Sequence, residues 1–575
     1  MRRLRAGLAA ATSISLLAVM SPLTAGAAPD LSKYTGQKLT WGACTFKAEV
    51  PVQCAQLTVP RDWSAPEAGK DLKVTVSRVA ATGAEDNYQG IVLTNPGGPG
   101  GQGTGLAADL AKLQPTLNAQ YDVLGMDPRG TGQQGAAGQA GLGITCQVPV
   151  GRLPEGPLDA RDRSPKSIAD HQQTPKVIAE ACQSVAEAPY ITTWQTAHDM
   201  DLLRQLLKAP KLNYVGYSYG TWLGAKYASQ FPATTGRIVL DSSVDFQGRL
   251  QADFEDFPRM GQRQADDVFL PWLTRTMPDV FGTTTKQAAA AIESGRSKAS
   301  ALGTSPDSYD ALLIGNGSEL GWLLRLLVLS VVITGDTADL QKLPAGLRGQ
   351  VDALSRERFG VTTAKLTTAA VAKADLGQAT PDYQQLPITR YAVACGDQVT
   401  KSTQSYKTLS DVQGRKYPAY GWQYGLSEVC GPWSDAPKET LPDLPKSVRD
   451  NVLVVQGEFD PQTSYEQATS AVRKAPGVDL LRVDDAAFHG QYGLQGNPCV
   501  DGVVNTYLLY GSKSDNSLCP SVPLPGEDKV FPVRGPVDKY LGTHRTGRAG
   551  ALKSVDNQLR IELSDRISVL NQPVR

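Results

Sequence analysis

The chain has 575 residues and a mass of 61.3 kDa, with 41% apolar and 20% charged residues, the balance of a folded globular protein rather than a disordered one. Its 57 basic and 57 acidic side chains give a formal charge of zero, which points to neither nucleic acid nor an anionic membrane surface as a partner. At roughly 150 residues per domain the length calls for two or more units, or for one large core carrying a big insertion.

The N-terminus reads as an export signal. Arg2, Arg3 and Arg5 precede an apolar stretch from Leu8 to Val19, followed by Pro22 and the small-residue run Ala25-Gly26-Ala27, which predicts cleavage at or near Ala27. The apolar run is shorter than the roughly 20 residues that span a bilayer, and no cysteine stands near the cleavage site to carry a lipid, so a secreted, extracellular protein without a membrane anchor is expected. The paired arginines leave general and twin-arginine export both open. Eight cysteines, Cys44, Cys54, Cys146, Cys182, Cys395, Cys430, Cys499 and Cys519, are an even number in an exported chain. About 105 pairings are open in principle. Closeness along the chain favours Cys44 with Cys54, Cys146 with Cys182, Cys395 with Cys430 and Cys499 with Cys519, and no CxxC spacing suggests zinc.

Two β-like runs follow the signal, AQLTVPRDW from Ala55 and DLKVTVSRVAAT from Asp71, and read as an antiparallel lead-in. The pattern then changes to short apolar strands ending in glycine-rich turns: GIVLTNPGGPG from Gly90, YDVLGMDPRGTG from Tyr121, NYVGYSYG from Asn213 and RIVLDSS from Arg237. Helical stretches such as Thr196–Leu207 and Thr221–Gln230 separate several of them, so an α/β fold with a mainly parallel sheet covered on both faces is expected. The rhythm stops near Asp245 and resumes at Asn451 with NVLVVQGEFDPQTS, a helix over about Tyr465–Lys474 and VDLLRVDDAAFHG from Val478. Between them lie mostly helical segments, including LGWLLRLLVLSVVIT from Leu320, which Arg325 interrupts and which is too short to cross a membrane. A helix buried in a cap is the reading. The tail from Gly511 is rich in Pro, Gly and Ser, with NQLRIELSDR from Asn557 as a candidate strand. The chain therefore divides into a signal over 1–27, a first core part over 28–245, a helical cap over 246–445, a second core part over 446–510 and an extension over 511–575.

Gly216-Tyr217-Ser218-Tyr219-Gly220 fits G-x-S-x-G between a strand and a helix, the setting in which a strained turn exposes a nucleophilic serine. Such a serine needs a base. Of His171, His198, His489 and His544, only His489 follows a β-like run in a loop, Phe488-His489-Gly490-Gln491, able to reach the strand ends; surface or capping roles are expected for the other three. Asp460 stands at the turn that Pro461 forces, between serine and histidine in the chain, and is preferred as the acid over Glu458. Ser218, Asp460, His489 is the order of the α/β-hydrolases. The oxyanion hole needs the backbone N–H of Tyr219 and a donor from Asn95-Pro96-Gly97-Gly98-Pro99-Gly100, where the prolines have no N–H and Gly97 or Gly98 remains.

With these pieces the sequence resembles the secreted bacterial branch of the prolyl aminopeptidase family of serine exopeptidases, especially the tripeptidyl aminopeptidases. The resemblance rests on NPGGPG at Asn95, DPRGTG at Asp127, GYSYG at Gly216, GEFDPQT at Gly457 and FHG at Phe488, in family order over about residues 40–510. It implies an α/β-hydrolase fold with a helical cap inserted before the acid-bearing strand, Gly98 as the second oxyanion donor, Arg129 as a structural support of the loops, and peptide or protein N-termini as substrates without metal or cofactor. The loop at Pro96 departs from prolyl aminopeptidases proper, which have a histidine before the glycines. A free substrate amine calls for carboxylates in or beside the cap, and Glu255, Asp256, Asp241 and Asp245 are the candidates. The competing readings are an esterase or lipase using the same residues, a single-residue prolyl aminopeptidase, and an exported binding protein without turnover.

Overall fold

The computed structural model describes residues 30–132, 143–301, 304–314, 317–375, 385–513, 517–541 and 557–571. The expected export signal lies outside them, as does His544. Ten strands form one sheet: β1 Gly42–Ala43, β2 Gln53–Pro60, β3 Asp71–Val79, β4 Ile91–Asn95, β5 Asp122–Met126, β6 Leu212–Tyr217, β7 Thr235–Asp241, β8 Val452–Gly457, β9 Asp479–Asp484 and β10 Leu518–Pro520. Their spatial order is β1-β2-β3-β5-β4-β6-β7-β8-β9-β10. The first three strands and the β3–β5 pairing are antiparallel, and every pairing from β5 through β10 is parallel. This is the α/β-hydrolase fold. Strands β4, β6 and β8 are buried along their whole length, as their unbroken apolar runs require when both faces of a sheet are covered.

Register places the strand ends. Asn95 pairs with Gly216, Tyr217 with Asp241, Asp241 with Val455, and Gly457 with Val483, so the carboxyl ends of β4, β6, β7, β8 and β9 line up along one edge. In parallel sheets that edge is where loops gather to make a site.

Between β7 and β8 the chain is helical apart from the short strand Gln385–Pro387, which pairs with Thr145–Gln147. The run from Leu320 lies within helix Glu319–Thr334, where Trp322, Leu326 and Leu327 are fully buried; no described helix is long and apolar enough to cross a membrane. Arg325 is buried in it too, its guanidinium donating to the carbonyls of Leu312, Gly321 and Ile314, which answers the cost of an unsatisfied cation. Segment 159–171 reaches into this helical layer through Arg296 to Asp159, Arg161 to Glu293 and Asp310, and Arg163 to Asp411.

All four disulfides join the cysteines nearest in sequence: Cys44–Cys54, Cys146–Cys182, Cys395–Cys430 and Cys499–Cys519. The tail returns to the sheet. Leu518–Pro520 is its last strand, and the segment at Asn557, a candidate strand by sequence, is a helix, Asn557–Asn571. The longer window decides: Arg560, Leu563, Ser564, Ile567 and Ser568 are buried at helical spacing.

His171 and His198 are corrected from their expected surface or capping roles. His198 packs among the rings of Trp63, Trp194 and Phe231. His171 lies buried in helix Pro165–Gln183, its Nε2 2.7 Å from Asp307 in the helical layer. Burial opposes its charge, but the hydrogen bond and charge of Asp307 outweigh it and the imidazole pKa is raised. A histidine pKa raised by folding contributes stability that is complete below its unfolded value, about 6.5, and is lost as pH rises through the folded value. Denaturant unfolding across pH 5.5–8.5 is expected to show stability falling with rising pH by an amount that His171→Gln removes.

Candidate active site

Ser218 follows β6 and opens helix Tyr219–Gln230, with φ +56° and ψ −124°. A non-glycine residue at such a φ is strained, and the surroundings hold it there. Its N–H donates to the Asp241 carbonyl at 3.0 Å, and its own carbonyl accepts from the Thr221 N–H at 2.8 Å and hydroxyl at 2.6 Å. The flanking glycines are required by contact. A Cβ on Gly216 would stand 2.5 Å from the Gly220 carbonyl and from the Tyr214 ring, and one on Gly220 would stand 2.8 Å from Asn95 Oδ1. The sharp bend thus packs the serine turn directly against the end of β4.

His489 and Asp460 meet at the same edge. Nδ1 of His489 lies 2.9 Å from both carboxylate oxygens of Asp460, and both side chains are wholly buried. Asp460 is further held by the N–H groups of Gln462 and Thr463 and by the Thr463 hydroxyl, at 2.8 to 3.1 Å. Nδ1 donating to Asp460 leaves Nε2 as the basic nitrogen. That atom is buried and has no hydrogen-bond partner among the described residues. Ser218 is 5% exposed. Glu458, the rival acid, turns the other way: its oxygens accept from the N–H groups of Val537 and Asp485, and burial pushes its pKa up to about 8.

The expectation of a substrate amine at Asp241 does not hold. It is fully buried, accepts from the N–H groups of Gln491 and Tyr492 at 2.7 to 3.1 Å, and so fastens the His489 loop to the end of β7, one strand from Ser218; burial raises its pKa to about 7. Asp245 accepts from Ser470 and pairs with Lys474, and Asp256 pairs with Arg259 and accepts from Ser464, so these two are engaged between cap and core. Glu255 differs. One oxygen pairs with Lys401 and the other is buried with no hydrogen-bond partner among the described residues.

In the oxyanion loop the Gly97 N–H donates to Asn95 Oδ1 at 2.9 Å, which commits one of the two glycines, while the Tyr219 amide belongs to a first helical turn, where N–H groups have no partner inside the helix. Arg129 is buried and bidentate on Asp199 at 2.6 and 2.8 Å, and it also donates to the carbonyls of Arg61 and Tyr190, spanning three segments behind the loops.

A narrow cavity of about 40 Å³ adjoins Pro99 of this loop; aromatic rings of Phe254, Phe257, Tyr420 and Tyr424 line it with Arg390 and Glu428. Burial raises the Glu428 pKa, and the charge of Glu255 adds to the rise. Sequence reasoning missed Glu428 and Arg390. The spacing of Cys395 and Cys430 was the one signal, since the disulfide between them draws both residues into one wall.

Comparisons agree with this geometry. Residues 90–324 match the family described as alpha/beta hydrolase fold, and residues 417–519 that described as TAP-like protein. A tripeptidyl aminopeptidase of Streptomyces lividans is 29% identical over 524 residues, covering 84% of this chain and 87% of its own. Serine protease Hip1 of Mycobacterium tuberculosis is 25% identical over 83% of this chain and 90% of its own, and a carboxylesterase B of the same species is 27% identical over 83% and 89%. The chain is a serine hydrolase with the α/β-hydrolase fold. Within that class it is of the tripeptidyl aminopeptidase-like type.

Because a methyl group at Gly220 would press on Asn95, Gly220→Ala is expected to lower stability by roughly 1 to 3 kcal/mol, read by denaturant unfolding, and to slow phosphonylation of Ser218 by a small fluorophosphonate.

Proposed function

We propose that this protein is an exported serine exopeptidase that releases short peptides, tripeptides foremost, from free N-termini. The observation that carries the reading is the buried Asp460–His489 pair, 2.9 Å apart, at the same sheet edge as a serine held at φ +56°. In this reading Ser218 attacks the scissile carbonyl while Nε2 of His489 takes its proton. Asp460 orients the ring and stabilises the imidazolium, and the amides of Tyr219 and Gly98 receive the oxyanion. His489 then protonates the departing amine, and water repeats the sequence to free the acyl peptide. The four disulfides fit an oxidising compartment.

For the amine the reading takes Glu255, with its unpartnered buried oxygen, together with Glu428 in the aromatic cavity. An ammonium placed between two carboxylates relieves their mutual repulsion, so a peptide with a free N-terminus gains where a blocked one does not. The 27% identity to a carboxylesterase B gives an ester substrate the standing of a second reading.

Three outcomes are expected. Ser218→Ala and His489→Ala each lower kcat by roughly 10⁴ to 10⁶-fold with little change in thermal unfolding; turnover retained in either would refute the assignment. A chromogenic tripeptide amide with a free amine is hydrolysed in preference to its N-acetylated twin and to the single-residue proline amide; activity confined to esters would favour the second reading. Glu255→Gln and Glu428→Gln each raise KM for the free tripeptide amide at least tenfold, about 1.4 kcal/mol, with a smaller effect on kcat.

A further inference from the structure

Helix Asn557–Asn571 is tied to the loops that carry Asp460 and His489 and to the loop after β4. Ser568 is its hub: the Ser568 carbonyl accepts from Nε2 of Gln462 at 2.8 Å, and Gln462 donates its own N–H to Asp460. The Ser568 hydroxyl accepts from the Gly317 N–H at 3.1 Å, while the Gly317 carbonyl accepts from the His489 N–H at 2.9 Å. One turn earlier Ser564 accepts from Gln495, which also donates to the Gly490 carbonyl directly after His489. At the last turn Leu570 stands against Gly101 of the oxyanion loop, and its carbonyl accepts from Arg390, which lines the aromatic cavity. The same helix walls a second cavity of about 580 Å³ whose other side includes Pro96, Gly100 and Gln102.

We propose that this helix is a C-terminal strap that stands over the catalytic cleft and, by limiting what can enter, sets the enzyme's choice of small chain ends over bulky substrates. The inference rests on the reading of Ser218 as nucleophile. Its attachments have the character of a strap. Among the described residues they include the ion pairs Arg566 with Asp109 at the surface and buried Arg560 with Glu319 at 3.5 Å, hydrogen bonds through Ser564, Ser568 and Leu570, and the apolar stripe of Leu563 and Ile567. Both Asp460 and His489 are wholly buried with the strap in place, and Leu563, Ile567 and Leu570 of the strap wall the cavity that Pro96, Gly100 and Gln102 line from the other side. The strap is the element that contacts the acid loop, the histidine loop and the oxyanion loop together.

The test measures phosphonylation of Ser218 by a small fluorophosphonate and by the same warhead on a bulky dye-labelled linker. Three forms are compared: the wild-type chain, the full-length Ile567→Asp variant, which places a charge in the buried stripe, and a chain ending at Leu541. The ratio of bulky to small labelling rates is expected to rise at least tenfold in both altered forms. Should the shortened chain fail to fold, as judged by circular dichroism, Ile567→Asp in the full chain carries the measurement. A ratio within twofold of wild type in a folded form would overturn the strap. Absence of labelling by either probe in every form would instead overturn the nucleophile reading, and the strap with it.

Discussion

The parallel register of five central strands is the constraint on which the rest depends. Because Asn95 stands level with Gly216, Tyr217 with Asp241, and Asp241 with Val455, the loops that carry the serine, the oxyanion glycines, the acid and the histidine leave the sheet at one edge. No side chain in that group is brought there by its own interactions. Backbone hydrogen bonds position the strand ends, and there Nδ1 of His489 lies 2.9 Å from Asp460. A slip of one residue would turn every side chain of the slipped strand to the opposite face and separate Asp460 from His489.

Buried carboxylates do much of the fastening around that edge. Asp241 pins the segment after His489, Asp127 receives the amide and hydroxyl of Thr104 behind the oxyanion loop, Asp397 receives the Thr193 amide and the Trp222 indole, and Glu458 receives amides from two distant segments. Burial raises the pKa of all four, to about 7 for Asp241, about 6 for Asp127 and Asp397, and about 8 for Glu458. An acid short of water is costly, and each of these offsets part of that cost by accepting several N–H or O–H groups. Acids with this task are already committed within the fold, which is why Asp241 and Asp245, suggested by their place in the sequence, are occupied.

The helical layer and the tail are less independent of the sheet than their positions in the chain suggest. Phe459 and Phe488, the neighbours of Asp460 and His489, are buried in the apolar core of the helical layer beside Trp322 and Trp272. Packing there is therefore felt at the acid and the histidine. The tail contributes the tenth strand, a hydrogen bond to Glu458 and the strap, so helix Asn557–Asn571 packs on loops formed hundreds of residues earlier in the chain.

The strands, the tight bend at Ser218 and the loops on which Asp460 and His489 meet were legible in sequence because each rests on a local rule: apolar run length, glycine beside a tight bend, proline at a turn, chain order. Disulfide pairing was legible for the same reason, since near cysteines close short loops. The segment at Asn557 is a helix rather than the candidate strand because its buried set from Arg560 to Ser568 follows a helical period, which a short window does not reveal. Glu428, Arg390 and the partners of Ser568 could not be read from the chain at all. Their place depends on contacts between segments far apart in sequence, and no local propensity encodes which side chains will share a cavity. The amino-acid sequence alone determined the elements and the local turns that end them; the tertiary structure decided which acids are occupied and which distant segments meet at the strand ends, because only long-range contacts set either.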